Sequence, residues 1–200
     1  MGFGDIFRAA YGQGVQYRAF TPADRSRLEA RVPGYLLDLW EHDGWAGYRN
    51  GLLWMVDPDE FAPLLAAWHA PADPVLLTVA RTAMGKLFLL GNFRAPNGSL
   101  APTVLALDPH AATYNGVSPA AEKFLTRSIA EEDYLKPAMQ EADAKRAAKD
   151  VGPLSWNEMY GYEPALALGG PGTPDTVRRF DLFTHHVLLS QLTPLKLRKV

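Results

Sequence analysis

Val75–Leu90, VLLTVARTAMGKLFLL, sets two short apolar runs on either side of Gly85. Short apolar runs bracketing a glycine turn read as a β-hairpin, with strands over Val75–Ala80 and Lys86–Leu90. Working outward, Thr103–Leu107 has the same character and adds a third strand. Upstream, Leu52–Val56 follows the turn Arg49-Asn50-Gly51 and reads as a fourth. Capped helical segments bracket these strands. The fold class that follows is α+β: a mainly antiparallel sheet with helices packed on one side of it.

The helices announce themselves by their starts. In Thr21-Pro22-Ala23-Asp24, threonine caps, proline suits the first helical position, and Asp24 returns a hydrogen bond three residues on. Pro33 opens a second helix. Its face carries Val32, Leu36, Leu39 and Trp40, and Gly44 ends it. Asp57-Pro58-Asp59-Glu60 repeats the capping-box pattern, and Phe61, Leu64, Leu65 and Trp68 follow as one apolar stripe. Pro63 removes a backbone donor there, so an irregular helix start is expected.

Farther along, Pro119–Ile129 and Tyr134–Lys149 read as helices. The second carries Leu135, Ala138, Met139 and Ala142 as its apolar stripe. Turn-rich, strand-like text runs from Leu154 to Pro171, Thr173-Pro174-Asp175 is a turn or helix start, and His185–Leu192 is helical. With 200 residues the chain is long enough for a core without covalent staples. It divides into 1–115 and 116–200, as one compact unit or as two lobes meeting near residue 115.

Composition narrows the function. The sequence contains no cysteine, which removes disulfides, thiolate zinc sites and thiol chemistry. A net charge of -2 with no dense basic stripe argues against direct nucleic-acid binding. The basic end at Lys196, Arg198 and Lys199 reads as a solvated tail. The N-terminal residues lack a secretory h-region and no apolar run is long enough to cross a membrane, so a soluble cytoplasmic protein is expected.

Motifs for catalysis are weak. His185 and His186 are adjacent, and neighbours on a helix point about 100° apart, so one histidine in the packing and one at the surface is expected in place of a metal site. Ser190 lies in no nucleophile elbow. Asp57, Asp59 and Glu60 read chiefly as helix-capping acids. Gly169-Gly170-Pro171-Gly172 lacks the lysine of a phosphate loop, and Pro171 deletes an amide, so it reads as a turn. No catalytic residue, no metal ligand and no cofactor is assigned.

The aromatic residues say more. Trp40 and Trp54 belong to the core. Trp45, Tyr48, Tyr160 and Tyr162 sit among glycines and polar residues, where partial exposure is expected. Aromatics serve both cores and binding hot spots. With Arg49, Glu158 and Glu163 they form the candidate partner-binding set, the two glutamates facing a basic surface. The same segments also read as internal packing between lobes.

Two stretches carry a resemblance. Val32–Glu60, VPGYLLDLWEHDGWAGYRNGLLWMVDPDE, joins a proline-opened helix, a Gly-Trp-x-Gly-Tyr turn, a Gly-Leu-x-Trp strand and an Asp-Pro-Asp-Glu helix start. Trp156–Gln191, WNEMYGYEPALALGGPGTPDTVRRFDLFTHHVLLSQ, is the second, with the block Asn-Glu-Met-Tyr-Gly-Tyr-x-Pro-Ala-Leu-Ala-Leu-Gly-Gly at its start. In this order they resemble the GAD-like immunity-protein family, with its GAD-like N-terminal part and associated C-terminal module. The resemblance implies a non-enzymatic protein that binds and neutralises a cognate type VI secretion DNase toxin in the producing cell. A binding scaffold or regulator outside toxin systems is the alternative, followed by an enzyme of unrecognised type.

Overall fold

The computed structural model describes residues 2–70, 75–94, 98–128 and 139–197. Seven strands follow one another in chain order across one sheet: β1 (Val15–Arg18), β2 (Trp45–Tyr48), β3 (Leu53–Met55), β4 (Leu77–Thr82), β5 (Leu87–Arg94), β6 (Leu100–Asp108) and β7 (Thr113–Ser118). Each is antiparallel to the next. A separate antiparallel pair, β8 (Glu158–Tyr162) and β9 (Val177–Asp181), lies beside them. The short β10 (Lys196–Leu197) closes the large sheet by pairing parallel to β7. The expected α+β class with a mainly antiparallel sheet is the observed one.

The founding hairpin is β4–β5, with Leu77 opposite Leu90 and Arg81 opposite Leu87. Gly85 makes its turn at φ 76°. A side chain there meets Met159 Cε at 2.3 Å, so the turn is glycine's both by conformation and by space.

Helices cover both faces of the sheet, where the sequence pointed to one. The cause lies in the same apolar runs. Side chains alternate across a strand, so Leu87-Phe88-Leu89-Leu90 sends apolar groups both ways, the pattern of a strand buried on both faces. Phe88, Leu90, Val104 and Ala106 join one core with α1 (Phe3–Tyr11) and α3 (Gly34–Asp43). The rings of Phe7 and Tyr48 meet there edge to face, 5.0 Å apart. Leu87, Leu89, Leu105 and Leu107 face a second core with α4 (Pro58–Ala67) and the C-terminal helix Leu182–Leu192. Phe61, Leu64, Leu65 and Trp68 are buried in it, as the stripe predicts.

The helix starts behave largely as read. Thr21 and Asp24 form the reciprocal capping box of α2 (Pro22–Leu28): Asp24 N donates to Thr21 Oγ1 at 3.2 Å, and Thr21 N donates to Asp24 Oδ2 at 2.9 Å. At α4, Asp57 caps by accepting from Asp59 N at 3.0 Å. Glu60 does not reciprocate. It lies 3.6 Å from Arg18, which holds it toward β1. The helix runs through Pro63 without a break.

After β7, a short helix α5 (Ala121–Lys123) continues as a π-helical turn over Phe124–Ser128. Residues 129–138 lie outside the described set, and with them Tyr134, Leu135 and Ala138 of the expected helix. Its described part is α6 (Glu141–Val151), in which Ala144 and Ala147 are buried. The final helix, α7 (Leu182–Leu192), is capped by Asp181, which accepts from Thr184 N at 2.8 Å. Arg198 and Lys199 are also outside the described residues. Residue 115 falls inside β7, and both cores draw residues from either side of it. Among the described residues no helix is long and apolar enough to cross a membrane.

Candidate functional site

The turn between β2 and β3 is built from Arg49, Asn50 and Gly51, all left-handed, with φ of 49°, 56° and 83°. Such turns match the twist of a hairpin, and they favour glycine and asparagine. Before the turn, Tyr48 points inward and its hydroxyl donates to Asp43 Oδ2 at 2.7 Å. Gly47 carries no side chain because the Trp54 ring occupies the place: a Cβ would lie 2.7 Å from it. Arg49 and Asn50 are exposed.

Opposite this turn lies one face of α6. Between them is a half-open cleft of about 640 Å³, lined by Arg49, Asn50, Leu52, Ala83, Tyr160 and the α6 residues Glu141, Ala144, Lys145 and Ala148. Its floor is apolar. Tyr160 is fixed at both ends: its backbone N donates to Ala83 O at 2.9 Å and its hydroxyl to Gly152 O at 2.7 Å. Burial raises the Tyr160 phenol above its usual pKa. Lys145 and Glu141 pair at 2.6 Å, one helical turn apart. Arg49 makes no hydrogen bond or ion pair with a described residue.

The structure thus gathers Arg49 and Tyr160 of the candidate set into one cleft and puts the other members elsewhere. The expected partial exposure of the four aromatics is not what the fold shows. Trp45, Tyr48, Tyr160 and Tyr162 are all buried. Trp45 packs on Trp40 at 4.8 Å between ring centroids, under the Arg18 guanidinium. Tyr162 meets the His110 ring edge to face at 5.1 Å, and its phenol pKa is likewise raised by burial. The glycines beside them make room for other rings: a Cβ on Gly47 would lie against Trp54, and one on Gly161 against His185. Glu163 is exposed and Glu158 half-buried. Both are engaged by β9: Arg179 lies 3.4 Å from Glu158 and Arg178 lies 3.6 Å from Glu163.

The remaining conspicuous residues are structural. Both histidines of His185-His186 are buried, against the expectation of one at the surface. His185 stacks on Phe180 with centroids 4.0 Å apart, and His186 lies against Gly85 of the sheet. Asp57 accepts from Arg18 at 2.6 Å and from Arg27 at 2.8 Å, while Asp59 pairs with Arg27 and Arg31. Among the described residues no group of three or more His, Asp or Glu is arranged to hold a metal. Gly170 sits against Pro164 O, where a Cβ would come within 1.9 Å, so this glycine belongs to a tight turn.

Sequence reading missed Arg81. It is fully buried on β4, and no described carboxylate pairs with it. Its guanidinium lies 4.6 Å from the Trp54 ring centre and donates to Trp156 O at 2.6 Å. Burial lowers its pKa to about 9. Trp156 in turn stacks flat on Tyr17, with centroids 5.1 Å apart. The two recognisable sequence blocks therefore meet through Arg81 and Tyr17. A lone arginine amid apolar strand residues was the available signal.

The N-terminal and C-terminal parts of the chain share both cores, with an open cleft where they meet. Residues 3–96 match the model of the GAD-like domain, and residues 120–193 match that of the T6SS immunity protein Tdi1, C-terminal. With both parts present in this order, the chain belongs to the GAD-like type VI secretion immunity family. Among solved structures, Atu4351 from Agrobacterium tumefaciens shares the fold, with a TM-score of 0.74 at 18% identity over 98% of this chain and 92% of that one. No curated protein matches the chain.

Proposed function

We propose that this protein binds and neutralises a cognate type VI secretion DNase toxin in the cytoplasm of the cell that makes both, by stoichiometric binding and without catalysis. The observation that carries the reading is the ordered pair of family matches across nearly the whole chain. In the same reading, 1–115 is the GAD-like part and 116–200 the immunity-associated module, folding together as one unit. The toxin-facing surface is drawn from the candidate set: Arg49 in the cleft and Glu158 and Glu163 at the ends of β8, with Trp45, Tyr48, Tyr160 and Tyr162 setting the backbone beneath them. A binding protein suits such a frame, because a rigid sheet preorganises the surface and less ordering is needed on association.

Co-expression with the neighbouring toxin reading frame tests this. The expected result is survival of the host, co-purification of the pair and loss of DNA cleavage at one-to-one stoichiometry. A host that dies despite full expression of the folded chain, with no complex recovered, overturns it.

A further inference from the structure

The cleft beside Arg49 has the chemistry of a receptor for an acidic segment. Every other arginine with a described side chain has a hydrogen-bond or ion-pair partner, from Arg8 on Asp43 to Arg94 on Gly98 O and Arg146 on Asp150. Arg49 has none among the described residues. It is exposed and lines the cleft.

The turn does not call for arginine. At φ 49° the backbone is left-handed, where glycine and asparagine are at ease and a long side chain is not. Among the described residues the lining holds two cations, Arg49 and Lys145, against one carboxylate, Glu141, and Glu141 is already paired with Lys145. Around them Leu52, Ala83, Ala144, Ala148 and Tyr160 form an apolar floor.

We propose that Arg49 receives a carboxylate side chain of the cognate toxin, with the apolar neighbours of that carboxylate seated on the cleft floor; this rests on the toxin-binding reading above. A guanidinium presents a planar fork that matches a carboxylate through two parallel hydrogen bonds. The cavity volume of about 640 Å³ fits a few side chains of an inserted loop. A phosphate backbone would leave the floor uncovered and would find a single free cation among the described residues, whereas nucleic-acid grooves line up several.

The toxin segment that docks here is therefore acidic. A nuclease binds phosphate with a basic cleft. The Arg49 contact accordingly falls on the toxin away from that cleft.

The test uses the intact chain and a catalytically inactive form of the toxin encoded beside it, with affinity measured by calorimetry at low and moderate salt. Arg49→Asn suits the left-handed turn, so it folds with an unchanged or higher melting temperature. Its affinity falls by at least about 30-fold, as expected when one partner of a desolvated charge pair is removed. Arg49→Glu falls further, Arg49→Lys falls less, and a Glu→Arg or Asp→Arg reversal on the toxin restores binding to Arg49→Glu. If the unaltered chain binds and both Arg49→Asn and Arg49→Glu bind equally well, the cleft proposal is overturned while toxin binding stands. If the unaltered chain does not bind, the underlying reading fails first. Binding of a short DNA duplex that is lost in Arg49→Asn assigns the cleft to phosphate and also overturns the proposal.

Discussion

The indole Nε1 of Trp68 donates a 3.1 Å hydrogen bond to Nδ1 of His186, joining the end of α4 to the middle of α7 across 118 positions of sequence. His186 completes the link by donating from Nε2 to Gly85 O at 2.9 Å. One neutral imidazole thus ties the founding hairpin, the N-terminal part and the C-terminal helix together. This arrangement explains why the two parts share their cores.

Trp68→Ala should destabilise the protein by roughly 3–5 kcal/mol, the usual cost of emptying a buried indole site. Trp68→Phe keeps most of the volume but orphans the acceptor on His186, and should cost about 1–3 kcal/mol. Urea unfolding reads both. A midpoint unmoved by either substitution would show that the link contributes nothing.

Stability should fall on mild acidification. Burial depresses the pKa of His186 to about 3 and of His185 to about 4, and lowers that of His110 from its usual value near 6.5. The unfolded chain takes up protons at these sites below pH 6.5 and the folded chain does not. The stabilisation is complete above pH 6.5 and is lost as pH falls toward 3. Each such histidine adds at most about 1.4 kcal/mol of lost stability per pH unit in that window. His185 has a buried Nε2 without a partner among the described residues, so His185→Phe should be neutral or stabilising at pH 7 and should flatten the profile. Identical slopes between pH 6.5 and 4.5 in the two proteins would contradict this.

Asp57 carries two roles in one carboxylate. It caps α4 and it accepts from Arg18 and Arg27 with only 4% of its side chain exposed. Asp57→Ala should cost roughly 2–4 kcal/mol, from the lost cap and the unpaired arginines, discounted because both arginines reach solvent. Asp57→Ser keeps the cap and should recover part of this. Asp59, with its side chain 39% exposed, should cost no more than about 1 kcal/mol on truncation. Equal losses at Asp57 and Asp59 would show that burial does not set the difference.

The fold was legible where periodicity was strong. The strands around Gly85 and the stripe Phe61, Leu64, Leu65, Trp68 stand where the sequence put them. The second layer of helices was overlooked although its signal was present: the unbroken apolar run Leu87–Leu90 lacks the alternation of a strand buried on one face. The pairing of β10 with β7 has no local signature, since parallel partners are set by the whole chain. At the candidate site the aromatics misled for a physical reason. Trp45, Tyr48, Tyr160 and Tyr162 are flanked by glycines, which suggested exposed loops. Those glycines instead let packed rings come close: a Cβ on Gly47 would strike Trp54, and one on Gly161 would strike His185. Recognisable motifs here mark how the two parts dock. Arg49 was legible only as a polar residue beside that packing, and its lack of a partner among the described residues is a tertiary fact.

The glutamates of β8 give the contrasting prediction. Glu158 accepts from Ser155 N at 2.8 Å and faces Arg179, while Glu163 faces Arg178. Each acid is locally neutralised by its arginine, so the field it projects toward a partner is weak, and a rim charge of this kind acts chiefly on association rate. Reversing both, as Glu158→Lys with Glu163→Lys, puts like charges beside Arg179 and Arg178. Exposed pairs contribute about 0–1 kcal/mol each, so the variant should still fold with a modest drop in melting temperature. Toward the inactive toxin it should associate more slowly and with altered salt dependence, yet lose less affinity than Arg49→Glu. Stopped-flow association and calorimetry measure the two quantities separately. If the double reversal abolishes binding while Arg49→Glu leaves it intact, the β8 acids are the anchor and the cleft is not.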